Sequence, residues 1–263
     1  MANLSDHFEV TDCVEALPFR REVLQKHLPV TSIHEDIRTF QPKRDYSVIC
    51  GGSPCQDNSI ANPKGKGIKG EQSSLWWEMF RIITKAKPPV VLWENPPGCA
   101  YPKGTDKYSP LAIVVGSLAS VGYFCEWQVV SVSKLGGLHR RERLLLIAHS
   151  YGWEEEARGE VPKTWGRFVG EDAKALFAQW ARESSTVPGV ANGLSSQLDK
   201  NIEGWWKAHP FRGMLSMGKG TIENRYDRNS ALGDSCSPQQ SAIAWRHIHR
   251  ILTWQHQQDT EKL

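Results

Sequence analysis

Residues 75–94, LWWEMFRIITKAKPPVVLWE, place an amphipathic helix directly before a short apolar strand. Within Leu75–Lys85, apolar side chains recur at helical spacing, at Leu75, Trp76, Met79, Phe80 and Ile83. The uninterrupted apolar run Val90–Trp93 is typical of a strand that is buried on both faces. A helix followed at once by such a strand is the repeating unit of an α/β sheet, so this stretch predicts an α/β fold.

The same alternation extends over residues 8–149. Strands are predicted at residues 8–13, 30–33, 46–50, 90–93, 126–132 and 143–148, and helices at residues 19–27, 75–85 and 111–121. This order predicts a doubly wound, mostly parallel, Rossmann-like sheet with helices on both faces. Ligands of such sheets bind where loops leave the carboxyl ends of the strands, so we expect the site there.

The chain divides into three parts that differ in composition and in hydrophobic pattern. Residues 1–150 form the predicted catalytic core, and residues 151–222, rich in Trp, Gly and charge, are expected to form a small irregular lobe. Residues 223–263 are expected to return to the core through a helix at 239–255. Its apolar stripe consists of Ile243, Trp245, Ile248, Ile251 and Trp254.

The composition sets loose bounds on function. The 263 residues carry a net charge of +3, which permits a nucleic-acid partner without requiring one. The six cysteines show neither CxxC pairs nor metal-ligand spacing, as expected for free thiols in a reducing compartment. The first residues do not resemble a signal peptide, and the longest uncharged stretch, Leu111–Cys125, is too short to span a bilayer. We therefore expect a cytoplasmic protein without a bound metal.

The segment Gly51-Gly52-Ser53-Pro54-Cys55-Gln56 follows a predicted strand directly. A cysteine at a strand end, after two glycines and next to Pro54, is exposed in the crevice where ligands bind. A thiol needs such exposure, and a lowered pKa, to act as a nucleophile. Taken alone, the segment is equally consistent with a turn that happens to contain a cysteine.

Two charged groups follow at comparable positions. Glu94 ends the apolar run at 90–93, where it would offer an acid beside the thiol; alone, it could also cap a helix or pair with an arginine. Arg141 and Arg143 lie at the start of the last strand, and side chains two residues apart on a strand point to one face. They could bind a base oxygen, a phosphate or Glu94, or form a solvated edge.

Together these residues resemble, in order and spacing, the motifs of the DNA (cytosine-5) methyltransferase family. The matching segments are Pro54-Cys55-Gln56, residues 65–76, Glu94-Asn95, His139-x-Arg141-x-Arg143 and residues 232–239. The sequence departs from the family pattern at Pro96, His139 and Asp234, where Val, Gln and Asn are usual. The match covers roughly residues 8–149 and 225–252.

The resemblance implies a catalytic role for each residue. Cys55 would attack C6 of a cytosine that has been flipped out of double-stranded DNA. Glu94 would bind or protonate the ring at N3, and Arg141 and Arg143 would hold the O2 side and a nearby phosphate. Residues 65–70 would close over the base, and the lobe at 151–222 would recognise the target.

The resemblance also implies S-adenosylmethionine as the methyl donor. Glu15 corresponds to the acid at the ribose hydroxyls, and Asp36 and Ile37 to the pair at the adenine. The remaining residues assigned to the donor site are Pro54, Gly233, Asp234 and Ser235.

A Phe-x-Gly-x-Gly turn, which in the family surrounds the methionine end of the donor, is not found. A start codon placed too far downstream, a second chain that supplies the turn, or an inactive relative would each explain this. The expectation is that the 263 residues alone bind the donor weakly or not at all.

Three other functions remain open at this point. They are an inactive DNA-binding relative, a tRNA cytosine-5 methyltransferase, and a thiol enzyme acting on a free pyrimidine nucleotide. The expected biological setting is restriction-modification, a phage or anti-restriction.

Overall fold

The computed structural model describes residues 8–28, 32–52, 75–102, 106–135, 141–150 and 236–261. Its strands are β1 (Asp12–Val14), β2 (Ser32–His34), β3 (Val48–Gly51), β4 (Val90–Asn95), β5 (Phe124–Ser131) and β6 (Glu142–His149). Its helices are α1 (Pro18–His27), α2 (Leu75–Ala86), α3 (Pro110–Ser120) and α4 (Pro238–Glu261). The predicted lobe at 151–222 and the residues Pro54, Cys55, Gly233, Asp234 and Ser235 lie outside the described residues.

The strands form two sheets, β1–β2 and β3–β4–β6–β5. The pairs β1–β2 and β3–β4 are parallel, as the strand–helix alternation predicts. Strand β6 is antiparallel to both of its neighbours, β4 and β5. Residues 132–141 between β5 and β6 are too few for a crossover helix, so β6 returns beside β5 in the opposite direction. The α/β class is confirmed, and the reversed last strand is an addition that the alternation did not predict.

Helices cover both faces of the four-stranded sheet, which accounts for the unbroken apolar runs in β4 and β6. Val91 and Trp93 pack with α2 and α3 in one buried cluster, whereas Val90 and Leu92 pack with α4 in another. Successive residues of β6 divide between the same two clusters. Because both faces of such a strand are buried, apolar and polar residues do not alternate along it, as expected for a doubly wound sheet.

The long C-terminal helix α4 packs on the sheet as its apolar stripe predicts. Ile243, Ile248 and Ile251 are fully buried in the second cluster. The expected strand at residues 8–13 is wrong in its first half, because only Asp12–Val14 pairs as a strand. Phe8 instead packs on α4, with its ring centroid 4.8 Å from that of Trp245. Across the described part of the chain, no helix combines the length and the apolar character that a bilayer crossing requires.

Polar contacts connect the two sheets near Asp12 of β1. The Tyr46 hydroxyl donates to Asp12 Oδ2 over 3.1 Å, and Arg44 Nε lies 3.3 Å from the same oxygen. Both partners lie in the segment that leads into β3. The start of β3 is therefore attached to β1, although Asp12 itself belongs to the smaller sheet.

A buried histidine at the end of β6 makes the stability of this fold dependent on pH. His149 is fully buried, stacks on Phe124 and lies near Glu126 and His247. Burial lowers the pKa of His149 to about 4; the charge of His247 lowers it further, and that of Glu126 opposes the shift. The ordinary pKa of histidine is about 6.5, so the unfolded chain takes up this proton first.

We expect the free energy of unfolding to decrease as the pH falls from about 6.5 to about 4, by on the order of 3 kcal/mol from His149. Denaturant unfolding at several pH values checks this. His149→Gln should show a smaller decrease over that window, whereas exposed His256→Gln should behave as wild type. Equal pH profiles for His149→Gln and wild type would contradict the expectation.

Candidate active site

The carboxyl ends of β3 and β4 meet at one edge of the larger sheet, because the two strands are parallel. Gly51 lies opposite Trp93, so Gly52 comes next to Glu94. A Cβ atom at Gly52 would lie 2.5 Å from the Glu94 carbonyl oxygen and 3.2 Å from its carboxylate Oε2. Only glycine allows the chain to pass Glu94 so closely. The segment that carries Cys55, three residues further on, therefore starts against Glu94.

Replacing Gly52 with alanine should displace the start of this segment from Glu94. We expect the rate of any reaction that uses Glu94 and the segment after β3 to fall about a hundredfold, as for a misplacement of about 1 Å in a catalytic geometry. Gly116→Ala is the matched control, since a Cβ there meets nothing within 4 Å and alanine favours the helix. Steady-state rates of both variants, with melting curves to verify folding, check the prediction. A Gly52→Ala protein with the wild-type rate would show that this close approach is unimportant.

Glu94 and Arg143 form an ion pair at the same strand ends. Glu94 lies opposite Leu145 in the β4–β6 register, so Arg143 is its diagonal neighbour on one face of the sheet. Arg143 Nε lies 2.7 Å from Glu94 Oε1, and the two side chains are only 11% and 22% exposed. The sequence left a base oxygen, a phosphate or Glu94 as partners of Arg143, and the structure shows the contact with Glu94. The arginine orients the carboxylate, and partial burial strengthens their attraction.

Asn95 and Arg143 are both anchored to the backbone next to this pair. Asn95 is fully buried, and its Nδ2 donates to the Glu94 carbonyl oxygen over 2.9 Å. Arg143 Nη1 donates to the Glu142 carbonyl over 3.0 Å. These bonds fix the backbone and the guanidinium at the place where the ion pair forms, so the carboxylate position is well determined.

Gln240, at the start of α4, is a positioning residue that sequence reasoning missed. Its Nε2 donates to the carbonyls of Val130 and Arg141 over 2.7 and 2.8 Å, and its Oε1 accepts from the Ser237 amide over 3.3 Å. Gln240 is fully buried. It thereby joins residues 236–237 to the ends of β5 and β6 beside Arg141. The matching motif ended at Gln239, and nothing in the pattern distinguished the next glutamine from an ordinary helix residue.

The other cysteines of the described part of the chain are poor nucleophiles. Desolvation raises the pKa of each thiol: to about 12 for Cys99, Cys125 and Cys236, to about 11 for Cys50, although Cys50 as a residue is exposed to solvent, and in the same direction for Cys13. The charge of Glu94 raises the pKa of Cys236 further, while Arg141 and Arg143 lower it. A thiol reacts as its thiolate, and a raised pKa leaves less thiolate at neutral pH, so these five are weaker nucleophiles than an ordinary cysteine.

Three of the residues expected to bind the donor, Glu15, Asp36 and Ile37, lie at the carboxyl edge of the smaller sheet. Glu15 follows β1 and Asp36 lies shortly after β2, and both are half-buried. Glu15 Oε1 accepts from the Leu17 amide over 2.9 Å, and Asp36 Oδ1 accepts from the Arg38 amide over 2.9 Å. Ile37 packs against the cluster beneath α2 and α3. The structure thus brings Glu15, Asp36 and Ile37 to one sheet edge, where carboxylates suit a ribose diol.

Comparison with known proteins shows the family. The family model "C-5 cytosine-specific DNA methylase" matches residues 5–230. The chain therefore belongs to the C-5 cytosine-specific DNA methylase family, as the motifs predict.

Two curated relatives illustrate the match. Type II methyltransferase M2.BsuMI of Bacillus subtilis is 30% identical over 138 residues, 51% of this chain and 34% of the relative. Type II methyltransferase M.MspI of Moraxella sp is 26% identical over 180 residues, 67% of this chain and 42% of the relative. The chain thus spans less than half the length of either.

Solved structures give weaker likenesses. A putative DNA modification methyltransferase of an Escherichia coli prophage matches with a TM-score of 0.44 and 20% identity, over 56% of this chain and 41% of that one. Entamoeba histolytica methyltransferase EhMeth matches with a TM-score of 0.45 and 14% identity, over 54% and 45%. None of the comparisons supports the expectation that a second chain supplies the glycine turn.

Proposed function

We propose that this protein transfers a methyl group from S-adenosylmethionine to C5 of cytosine in double-stranded DNA, with Cys55 as the nucleophile. The arrangement of Gly52, Glu94 and Arg143 carries the proposal. In this arrangement, the segment that leads to Cys55 begins beside the Glu94 carboxylate, which Arg143 orients. Membership of the family supports the same reaction.

Cys55 and Glu94 divide the work on the base. C5 of cytosine is a weak nucleophile, and addition of the Cys55 thiolate to C6 makes it an enamine carbon that can take a methyl group. Glu94 binds at N3 and supplies a proton there, so negative charge does not accumulate on the ring. Transfer of the methyl group converts the donor to S-adenosylhomocysteine. Loss of the C5 proton to water then expels the Cys55 thiolate, N3 returns its proton to Glu94, and the aromatic ring is restored.

The two arginines hold the flipped base. A cytosine inside a duplex is unreachable, so it must leave the stack to meet Cys55. Arg143 pairs with Glu94 through its Nε edge, and Arg141 binds a nearby phosphate. Arg143 then holds both the carboxylate and the O2 side of the ring.

The donor site is proposed at the carboxyl edge of β1 and β2. Glu15 binds the ribose hydroxyls, and Asp36 and Ile37 flank the adenine. Pro54, Gly233, Asp234 and Ser235 are proposed to complete the site from the larger sheet. When bound, S-adenosylmethionine supplies an electrophilic methyl group. Carboxylates at this edge suit a ribose diol, and half-buried Ile37 suits an adenine ring.

Incubation with labelled S-adenosylmethionine and either duplex DNA or tRNA tests the proposed function. We expect label in DNA, with 5-methylcytosine at defined positions on sequencing. Label in tRNA but not in DNA would show that the substrate is tRNA. Specific DNA binding without label from saturating donor would point to an inactive relative.

A further inference from the structure

We propose that Arg81 is a positioning residue for the methyl donor, fixing the Asp36–Phe40 turn against helix α2. Its Nη2 donates to the carbonyl oxygens of Ile37 and Phe40 over 2.9 and 3.0 Å, with that of Arg38 at 3.5 Å. One guanidinium nitrogen thus donates hydrogen bonds to several backbone carbonyls of a single turn. The inference rests on the proposed function, because Asp36 and Ile37 are the residues proposed to bind adenine.

Arg81 is itself held in place for this contact. Its Nε donates to Glu78 Oε2 over 2.8 Å, one helical turn earlier in α2. Lys85, a further turn along α2, donates from Nζ to Gln41 Oε1 over 2.8 Å. Two cations on one face of α2 therefore hold adjacent parts of the 37–41 segment. The Arg81 guanidinium is planar, so anchoring its Nε at Glu78 also fixes the direction of its Nη2 toward the turn. A lysine has no second nitrogen that could be fixed in this way.

Among the described residues, the turn's other contacts are hydrogen bonds within the turn and apolar packing of Ile37 and Phe40. The Asp36 carbonyl accepts from the amides of Thr39 and Phe40, which closes the turn locally. Phe40 is buried, and its ring lies 4.6 Å from that of His34 in β2. These contacts keep the turn folded, but Arg81 carries the hydrogen bonds that join it to α2. Loss of Arg81 should therefore loosen the position of Asp36 and Ile37 without unfolding the core.

The test compares Arg81→Met and Arg81→Lys with Arg38→Met as the matched control. Arg38 is 64% exposed and lies 3.8 Å from the Asp36 carboxylate, so its loss removes an arginine without releasing the turn. In Arg81→Met we expect the Thr39 and Phe40 amides to exchange hydrogen about tenfold faster. We also expect the Kd for S-adenosylmethionine, and for adenosine as a probe of the adenine end, to rise about tenfold. The kcat at saturating donor and the KM for DNA should stay at wild-type values.

Arg81→Lys should recover part of the donor affinity, and Arg38→Met should match wild type in both readouts. The effect of Arg81→Met on donor Kd should vanish in an Asp36→Ala background, since both act on the same contact. Unchanged exchange or unchanged donor Kd in Arg81→Met, with a wild type that binds donor, overturns this inference alone. A wild type that binds donor but never methylates DNA defeats the proposed function while the Arg81 comparison still stands. A wild type that binds no donor at saturating concentration contradicts both.

Discussion

The Cys55→Ala protein should transfer no methyl group while binding its DNA with nearly wild-type affinity. Under the proposed mechanism, methyl transfer requires the covalent bond at C6, and no described thiol is a substitute. DNA affinity arises mainly from contacts to phosphates and groove edges, which do not involve the thiol. Label incorporation from saturating S-adenosylmethionine, together with a binding titration on the same duplex, measures the two effects separately.

The other five cysteines provide the controls for Cys55. Serine variants at Cys13, Cys50, Cys99, Cys125 and Cys236 should keep measurable activity where they remain folded. Their raised pKa values, which follow mainly from desolvation, make them weak nucleophiles in the wild type. Methylation by Cys55→Ala, or its loss in a stable Cys236→Ser protein, would show that the nucleophile has been assigned to the wrong residue.

Glu94→Gln should lower kcat by a factor of roughly 10² to 10⁴, the usual contribution of a positioned acid or base. Glutamine has nearly the same shape and still offers an oxygen to Arg143 Nε, so the fold should persist. It has no carboxyl proton to give to N3, so charge would build up on the ring during the attack by Cys55. Single-turnover rates with preformed DNA complexes measure the chemical step directly.

Glu126→Gln is the matched control for Glu94→Gln. Glu126 is also a partly buried carboxylate, with Oε2 3.8 Å from Nε2 of the buried His247 imidazole, but it lies inside β5 rather than at a strand end. Its replacement should change stability more than kcat. Equal losses of kcat in the two variants, or a wild-type kcat in Glu94→Gln, would mean that Glu94 acts only as the structural partner of Arg143.

Much of the fold was predictable because its signals are local. The helical spacing of Trp76, Met79 and Ile83 and the apolar run at 90–93 each determine one element, and α2 and β4 follow as expected. Because the carboxyl ends of parallel strands lie at one edge of a sheet, the sequence also predicted that Glu94 lies near the segment after β3. The family motifs supplied the roles, which spacing alone left open.

The remainder depends on contacts between distant segments. The direction of β6 follows from a short connection and from pairing on both sides, not from its own apolar pattern. Phe8 has the composition of a strand residue but packs on α4, 237 positions away at Trp245. The roles of Gly52, Arg81 and Gln240 each rest on a backbone oxygen that a long-range approach supplies. No local pattern encodes such an approach.

The most direct test of covalent catalysis by Cys55 uses duplex DNA with 5-fluorocytosine at the target position. Fluorine cannot leave C5 as a proton does, so the enzyme should remain attached to the base after transfer. With S-adenosylmethionine present, we predict a denaturation-resistant complex whose protein–DNA bond maps to Cys55 by peptide mass analysis. Attachment through another residue, or a wild type that methylates ordinary DNA yet never forms the complex, would contradict the account.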